Sequence, residues 1–332
     1  MEDDLSAWLA ATAGSDEAFV DDAYRLVLRR DPDPEARERA LTKLAEGTLS
    51  RATLLHELVT ATEFERVRLL EDAIALAGAA RARGERPRLL QSPPGTDERV
   101  IEIPWVLARV RPGRVLEIGY AFAEPSYLAA LVGASLEALV GVDLAEAEVP
   151  GMETVRADVR GLPFDDRSFD QVLLVSTLEH VGADNAVYGF EAEVADPGAR
   201  LAALRELRRV LRPDGSLLVT LPLGEPGDHG WFRQEDVGGW TRLFATAGFF
   251  VEEQEAYELG EEGWRAAPAF RPEGIRYGER GPAASAVLCA DLSPRRLRRL
   301  VTPDGMKRTA RRYLGPTYRR LRPPEVGGLP SG

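Results

Sequence analysis

Residues 156–182 read RADVRGLPFDDRSFDQVLLVSTLEHVG, a polar turn followed by a long apolar run. The run at 169–177 is nearly all apolar, which is typical of a strand buried on both faces of a parallel sheet. A short strand is predicted just before the turn, at 154–158. Strands alternate with helices on both sides of this stretch, and that alternation predicts a parallel sheet with crossover helices.

The remaining predicted elements follow the same pattern along the chain. Strands are predicted at 114–119, 138–144, 154–158, 169–177, 216–221, 249–259 and 284–292. Helices are predicted between them at 125–131, 201–211 and 240–247. The sequence therefore predicts an α/β fold, with a Rossmann-like seven-stranded, mostly parallel sheet and helices on both faces. A small all-α domain precedes it.

Four segments are predicted from changes in composition. They are a helical module at 1–80, a linker at 81–95, the α/β domain at 96–292 and a basic tail at 293–332. In the helical module, Asp33 and Ser50 are candidate helix caps and Gly47 is a candidate helix terminator. The linker reads RARGERPRLLQSPPG and is rich in Pro, Gly and Arg.

Charge is distributed unevenly over the 332 residues, whose formal net charge is −12. Residues 293–332 carry eleven basic and two acidic residues, a net charge of +9, so the preceding residues carry −21. An acidic body repels nucleic acid, which argues against a nucleic-acid partner. The tail has three interpretations: a solvated end, a segment docked on an acidic surface, or a peripheral contact with anionic lipid.

Composition also narrows the class of protein. One cysteine excludes a disulfide scaffold, and three histidines leave little room for a histidine-rich metal centre, so we predict no metal site. The acidic opening MEDDLSAWLA differs from a signal peptide, and no apolar stretch is long enough for a membrane span. We expect a cytoplasmic protein, with membrane-peripheral contact only through the tail.

Three acidic side chains lie where predicted strands end. Glu117, Asp143 and Asp158 belong to the first, second and third strands. Ligands bind outside the carboxyl ends of the strands in such sheets, and an acid ending the second strand can accept both hydroxyls of a ribose. Asp143 follows Gly119 by 24 residues, close to the spacing of about 20 expected for this role.

The same residues resemble those of class I S-adenosylmethionine-dependent methyltransferases over about 96–292. The resemblance rests on VLEIG at 115–119, GVDL at 141–144, the stretch at 156–182 and LRELRRVLRPDGSLLVTLPLG at 204–224. It implies S-adenosyl-L-methionine as cofactor. The positions that it implies for cofactor binding are Glu117, Gly119, Tyr120, Ala121, Asp143, Leu144, Asp158, Val159, Ser176, Thr177 and Leu178.

The glycine loop departs from the family pattern. The family's loop is D/E-x-G-x-G-x-G, whereas this chain has Ala121 and Ala123 at the second and third glycine positions. Alanine disfavours a positive φ, so the loop is expected to follow a modified path. A nicotinamide-dependent enzyme is the main rival for the same fold, but it requires G-x-G-x-x-G, and only Gly119 is present.

Residues 17–66 resemble the small helical domain of unknown function numbered 4214. The resemblance rests on FVDDAYRLVLRRDPDPEARERALTKLAEG and TLLHELVTATEF. That domain often accompanies enzymes of surface-glycan assembly, which implies a context but no chemistry.

Two histidines are candidate catalytic residues. His180 follows the fourth strand and is either a general base or a structural residue that orients its loop. His229 lies in a glycine-rich loop after the fifth strand, where it either contacts the acceptor or is solvated. The favoured function is O-methylation of a glycan or glycolipid precursor in surface polysaccharide assembly. The alternatives are a small-metabolite methyltransferase and a non-catalytic scaffold with a degenerate cofactor loop.

Overall fold

The computed structural model describes residues 14–85, 96–191, 195–280 and 283–295. Most of the predicted linker, from residue 86 on, lies outside the described residues. Nearly all of the predicted basic tail, from residue 296 on, also lies outside them. No helix in the described part of the chain is long and apolar enough to span a membrane.

The described residues begin with three short helices whose ends obey local capping rules. They are α1 (Asp16–Leu28), α2 (Pro34–Ala45) and α3 (Arg51–Val59). Asp33 accepts the backbone N–H of Ala36, and Ser50 accepts that of Thr53, which confirms both predicted caps. Gly47 follows α2 with φ +70°, a left-handed conformation that glycine adopts without strain.

A long fourth helix, α4 (Thr62–Ala82), contacts two separate hydrophobic cores. Near its start, Phe64 packs on the core of α1–α3, which contains Phe19 and Leu54. Farther along, Leu70 and Ala77 belong to a core beneath the sheet. The proposed boundary at residue 80 therefore lies near the end of a continuous helix, and the domain limits stay a prediction.

Within the described ranges the central sheet has eight strands, one more than predicted. The strands are β1 (Arg114–Ile118), β2 (Ala138–Asp143), β3 (Glu153–Arg156), β4 (Phe169–Val175), β5 (Leu211–Pro222), β8 (Phe250–Gly260), β9 (Gly263–Ala266) and β10 (Ala286–Ser293). Their spatial order is β3-β2-β1-β4-β5-β10-β8-β9. The pairs from β3 to β5 are parallel, and those from β5 to β9 are antiparallel. Two short strands, β6 (Gly227–Asp228) and β7 (Arg233–Gln234), form a separate hairpin.

The eighth strand comes from the excursion that joins β8 to β10 along the chain. Its first part turns back on β8 as β9, so the sheet gains an antiparallel edge strand. Trp264 on β9 is buried, and its indole N–H donates to the carbonyl of Thr96. The ring of Trp264 is therefore part of the core.

Helices cover both faces of the sheet, as predicted. They are α5 (Arg99–Leu107), α6 (Pro125–Val132), α7 (Ala199–Val210) and α8 (Val237–Ala247). One core joins α7 and α8 to the sheet through residues such as Leu207 and Trp240. The other joins α4, α5 and α6 to the opposite face through residues such as Val106 and Leu131. Burial of a large apolar side chain stabilises the fold by about 1.5–3 kcal/mol, so these two layers fix the sheet firmly.

Candidate functional site

The parallel register brings the predicted site segments to one edge of the sheet. In β1, Glu117 lies opposite Gly141 of β2 on one side and Leu173 of β4 on the other. All three strands run in the same direction, so the turns that follow them lie side by side.

The turn after β1 begins at Gly119, whose φ is +87°. A Cβ at this position would collide with the Thr177 hydroxyl, so both the conformation and the space require glycine. The following residues, Tyr120–Phe122, form one turn of 3-10 helix. Ala121 has no positive φ, and Ala123 is extended with φ −75°. The loop therefore needs glycine only at its first position, which explains how alanine is tolerated at the next two.

Asp143 ends β2 and is tied to that turn. Its carboxylate accepts the backbone N–H of Ala121 at 3.1 Å through one oxygen and that of Ala145 at 2.9 Å through the other. Each carboxylate oxygen has a second lone pair, so Asp143 can still accept hydrogen bonds from a ligand. Leu144, the next residue, is exposed.

Tyr120 supports this arrangement from below. Its ring is buried, and its hydroxyl donates to the carbonyl of Ala147 at 2.9 Å. A Cβ on Gly141 would lie 2.8 Å from the Tyr120 ring, so the glycine of β2 makes room for the ring. The side chain of Tyr120 is therefore a support for the turn, and only its backbone can face a ligand.

Asp158 lies after β3 at the same edge, but a neighbouring cation occupies it. The Arg160 side chain and backbone N–H both donate to its carboxylate, with Nε at 2.9 Å and 3.0 Å from its two oxygens. Partial burial opposes ionisation, yet the hydrogen bonds from Arg160 hold the pKa of Asp158 below its ordinary value. Val159 is half-buried and packs on the core. The pairing with Arg160 was not anticipated from the sequence.

The segment after β4 closes the edge. Ser176 adopts a positive φ of 42°, an unusual conformation for a residue other than glycine. Its hydroxyl donates to Glu102 at 2.7 Å, and the Thr177 hydroxyl donates to the Val175 carbonyl at 2.9 Å. The side chain of Leu178 is wholly buried in the core, so only its backbone can face a ligand.

Glu117 does not project into solvent. Its side chain is buried and accepts the Tyr127 hydroxyl at 2.8 Å. Burial raises the pKa of Glu117 well above its usual range, which the hydrogen bond from Tyr127 only partly opposes. Tyr127, on α6, is a partner that was not predictable from the local sequence.

A cluster of carboxyl groups surrounds Arg99 at the start of α5. Arg99 donates to Glu102 at 2.7 Å and lies 3.9 Å from Glu98. Burial raises the pKa of Glu98 to about 7, although the charge of Arg99 opposes that rise. Glu179 is also buried; burial raises its pKa well above the usual value, and its Oε2 has no hydrogen-bond partner among the described residues. An unsatisfied buried carboxyl oxygen is costly, and it marks a position where a ligand can supply the missing partner.

His180 lies beside this cluster and is partly buried, with 18% of its side chain exposed. Its Nδ1 lies 2.9 Å from the backbone carbonyl of Trp231. Because a carbonyl oxygen only accepts, Nδ1 carries the proton and Nε2 has the free lone pair. Burial lowers the pKa of His180 to about 4, so the ring is neutral near pH 7.

Aromatic rings from four segments form one continuous cluster at this edge. His180 stacks on Trp231 with the ring centroids 5.2 Å apart, and Tyr188 meets His180 edge to face at 5.4 Å. The cluster, called the aromatic wall below, consists of Phe122, His180, Tyr188, Phe190, His229, Trp231, Phe232 and Tyr277. Phe122 leaves 56% of its surface exposed, so the wall reaches solvent.

His229 belongs to the outer part of the aromatic wall. It lies in the turn between β6 and β7, is exposed and stacks on Phe232 at 4.4 Å. Tyr277 belongs to the excursion after β9, and the centroid of its ring lies 4.6 Å from that of Phe232. Burial raises the pKa of Tyr277 to about 12, so its hydroxyl stays protonated. By contrast, Trp240 is fully buried in the core.

Sequence reasoning missed the polar groups that α5 contributes. The helix was not predicted, since its sequence RVIEIPWVL is apolar except for two charged residues, Arg99 and Glu102, and contains Pro104. Glu102 on a wholly apolar face was the one available signal, because a charged residue in such a place needs a partner. In the ranges that the structure describes, no group of His, Cys, Asp and Glu side chains is suited to holding a metal ion.

Two family models match the chain. The model described as a methyltransferase domain matches residues 116–219, and the model for the domain of unknown function 4214 matches residues 6–67. Both agree with the resemblances drawn from the sequence.

One curated relative and several solved structures are similar. A ubiquinone/menaquinone biosynthesis C-methyltransferase of Hahella chejuensis is 31% identical over 117 residues, which cover 35% of this chain and 40% of the relative. The chain thus matches less than half the length of that relative. A 1,6-didemethyltoxoflavin-N1-methyltransferase of Burkholderia thailandensis, solved with S-adenosylhomocysteine, is 17% identical over 80% of this chain and 92% of its own, with a TM-score of 0.40. A Pyrococcus horikoshii protein is 18% identical over 59% and 90% of the two chains, with a TM-score of 0.39.

The matched models confirm the predicted resemblances at the level of domains. Residues 116–219 thus match a methyltransferase domain, and residues 6–67, which precede them, match the domain of the 4214 family.

Proposed function

We propose that this chain is an S-adenosylmethionine-dependent methyltransferase that transfers a methyl group to a hydroxyl of a glycan or glycolipid precursor. The observation that carries the cofactor part is the position of Asp143. Its carboxylate ends β2, is anchored by the N–H of Ala121 and keeps lone pairs for a ribose. Gly119 adjoins it with the positive φ that lets backbone approach a ligand closely.

The residues at this edge of the sheet fit S-adenosylmethionine, the methyl donor, although the glycine motif is incomplete. Asp143 would accept the ribose hydroxyls, and Asp158 would accept from the adenine amino group beside Val159. The orphaned Oε2 of Glu179 and the Arg99 guanidinium offer an acceptor and a donor for the amino-acid end. When bound, S-adenosylmethionine supplies a methyl group that its sulfonium has already activated.

The remaining task of the protein is to align the acceptor and remove one proton. The aromatic wall offers flat apolar faces, against which a sugar ring can stack. His180 belongs to this wall, with its Nδ1 held by the Trp231 carbonyl and its Nε2 3.9 Å from Glu179 Oε1, and the Nε2 lone pair would take the proton that the acceptor hydroxyl loses. A pKa of about 4 makes His180 a weak base, which suffices where alignment provides most of the rate.

The glycan assignment draws support from two features. The domain of unknown function 4214 was associated above with surface-glycan assembly. In the aromatic wall, His180 and Tyr277 are neutral near pH 7, because burial lowers the pKa of His180 and raises that of Tyr277. A small-metabolite acceptor is the second candidate, and it is favoured by the relative from Hahella chejuensis, whose name places it in quinone biosynthesis. A scaffold that no longer binds the cofactor is the third.

Acceptor screening separates these candidates. The purified chain would be incubated with methyl-labelled S-adenosylmethionine and a panel of neutral oligosaccharides, lipid-linked saccharides, quinol precursors and small amines. Label transfer to a saccharide hydroxyl, abolished in Asp143→Ala, is the expected result. Transfer to a quinol precursor or an amine would replace the glycan assignment, and binding without transfer to any saccharide would contradict it.

A further inference from the structure

A second candidate ligand site lies at the opposite edge of the sheet. A cavity of about 630 Å³ opens where β4 and β5 begin and where the antiparallel β10 ends. Its lining, called the arginine cavity below, consists of Asp166, Arg167, Arg205, Arg208, Arg209, Leu211, Pro213, Pro294 and Arg295. The volume lies within the range of about 300–1,000 Å³ that is usual for small-molecule sites.

Among the residues that the structure describes, the walls of the arginine cavity hold five guanidinium groups and one carboxylate. That carboxylate, Asp166, is already bound to Arg209 at 2.7 Å. Arg209 also donates to Glu206 and to the carbonyls of Phe164 and Leu162, so its donors are satisfied and its role is structural. The other four arginines are left without a carboxylate among the lining residues.

The chain holds these arginines close together although their charges repel. Arg205 and Arg208 lie three residues apart on α7, and therefore on one face of the helix. Arg208 is fixed by donating to the carbonyls of Gly248 at 3.0 Å and Pro294 at 3.2 Å, and neither partner neutralises its charge. Arg167 approaches from the turn before β4, where it adopts a positive φ of 58°. Arg167, Arg205 and Arg295 have no ion-pair partner in the part of the chain that the structure describes.

The arginine cavity concentrates positive charge in a chain whose net charge is −12, and such a cluster favours the binding of an anion. Guanidinium groups bind phosphate oxygens in pairs, with a fixed fork of N–H donors that a single ammonium lacks. We infer that the arginine cavity binds a phosphate or diphosphate group. The ligand is either a soluble phosphate ester or the headgroup of a phospholipid.

This inference is independent of the proposed methyl transfer. The arginine cavity lies at the amino-terminal ends of the parallel strands, whereas Gly119, Asp143 and Ser176 lie at their carboxyl ends. Substitutions in the cavity should therefore leave the affinity for S-adenosylhomocysteine unchanged.

Calorimetric titration of the full chain with inorganic pyrophosphate at low salt tests the inference. The variant is Arg167→Gln with Arg205→Gln, two exposed side chains whose removal relieves repulsion and should not impair folding. The matched control is Arg39→Gln, an exposed arginine on α2. Wild type and the control should bind pyrophosphate, and the double variant should bind at least about tenfold more weakly, which corresponds to about 1.4 kcal/mol.

Equal binding by all three proteins would overturn the inference, since it would place the anion elsewhere on the chain. Absence of binding by wild type to both pyrophosphate and anionic vesicles would overturn it as well. Vesicles of phosphatidylcholine with and without phosphatidic acid identify the source of the phosphate. Sedimentation with phosphatidic acid that the double variant loses indicates a lipid headgroup, whereas pyrophosphate binding without sedimentation indicates a soluble ester.

Discussion

Asp143 accepts the backbone N–H of Ala121 at 3.1 Å, and this bond joins the end of β2 to the turn that follows β1. The turn is the part of the chain where the sequence departs from the glycine-rich pattern of the methyltransferase family. The bond fixes the path of the turn. It also leaves the Asp143 carboxylate beside the backbone at Gly119, which can approach a ligand closely. The turn therefore keeps its contact with Asp143 although alanine stands at the second and third glycine positions.

Gly119→Ala should destabilise the protein and weaken cofactor binding. Alanine pays about 1–2 kcal/mol for a left-handed conformation, and its Cβ would also press on Thr177. Gly47→Ala is the matched control, because Gly47 also has a positive φ but an added Cβ there meets nothing within 4 Å. Denaturant unfolding should show a larger loss for Gly119→Ala. Equal losses would mean that the contact with Thr177 does not matter.

Asp158 should discriminate adenine from hypoxanthine. If its carboxylate accepts the adenine amino group, wild type should bind S-adenosylhomocysteine at least about tenfold more tightly than the inosine analogue, since hydrogen bonds to charged groups contribute about 1.5–3 kcal/mol. Asp158→Ala should lose this preference. Arg160→Ala should keep it, because that change removes only the competing donor. Equal affinities of wild type for the two compounds would mean that Arg160 occupies Asp158 permanently.

His180 should make stability depend on pH in the mildly acidic range. Its pKa is about 4 in the folded chain and near 6.5 when unfolded, so the unfolded chain takes up the proton first as pH falls. The stabilisation is complete above about pH 6.5 and is lost progressively toward pH 4. At pH 5 the loss should reach about 2 kcal/mol.

Urea unfolding at about pH 7.5 and pH 5 measures this difference. His180→Asn should reduce the fall in unfolding free energy between the two values, relative to wild type. His56→Asn, which removes an exposed histidine on α3, controls for the loss of one histidine. An unchanged fall in His180→Asn would contradict a neutral, buried ring.

Trp231→Ala should impair use of the acceptor and spare the cofactor. Trp231 stacks on His180 and contacts Tyr277, so its removal opens the aromatic wall where a sugar would lie. The KM for the acceptor should rise about tenfold or more, while the affinity for S-adenosylhomocysteine stays within about twofold. Phe250→Ala removes an exposed aromatic ring outside the wall and should change neither quantity. A loss of cofactor affinity in Trp231→Ala would assign the ring to the cofactor site.

The sequence was a good guide to elements with a strong local signal. The apolar run of β4 and the caps at Asp33 and Ser50 depend on neighbours in the chain, and they were predicted correctly. The ends of β1, β2 and β4 were also predictable, because parallel strands must place them together. The number of strands was not predictable, because β9 depends on the burial of Trp264 against Thr96, and these two residues are distant in sequence.

The hydrogen-bond partners of side chains were harder to predict than the helices and strands of the backbone. The bonds from Tyr127 to Glu117 and from Ser176 to Glu102 depend on how helices α5 and α6 pack on the sheet. Nothing in the local sequence indicates that packing. The arginine cavity likewise combines a turn, a helix face and a strand end that lie far apart in the chain.

Titration with S-adenosylhomocysteine by calorimetry, on wild type and Asp143→Ala side by side, tests the central claim most directly. Wild type should bind in the micromolar range, and the variant should show no measurable binding while it keeps a cooperative unfolding transition. Failure of well-folded wild type to bind would contradict the cofactor site, and the chain would then be a scaffold that retains the fold without the chemistry.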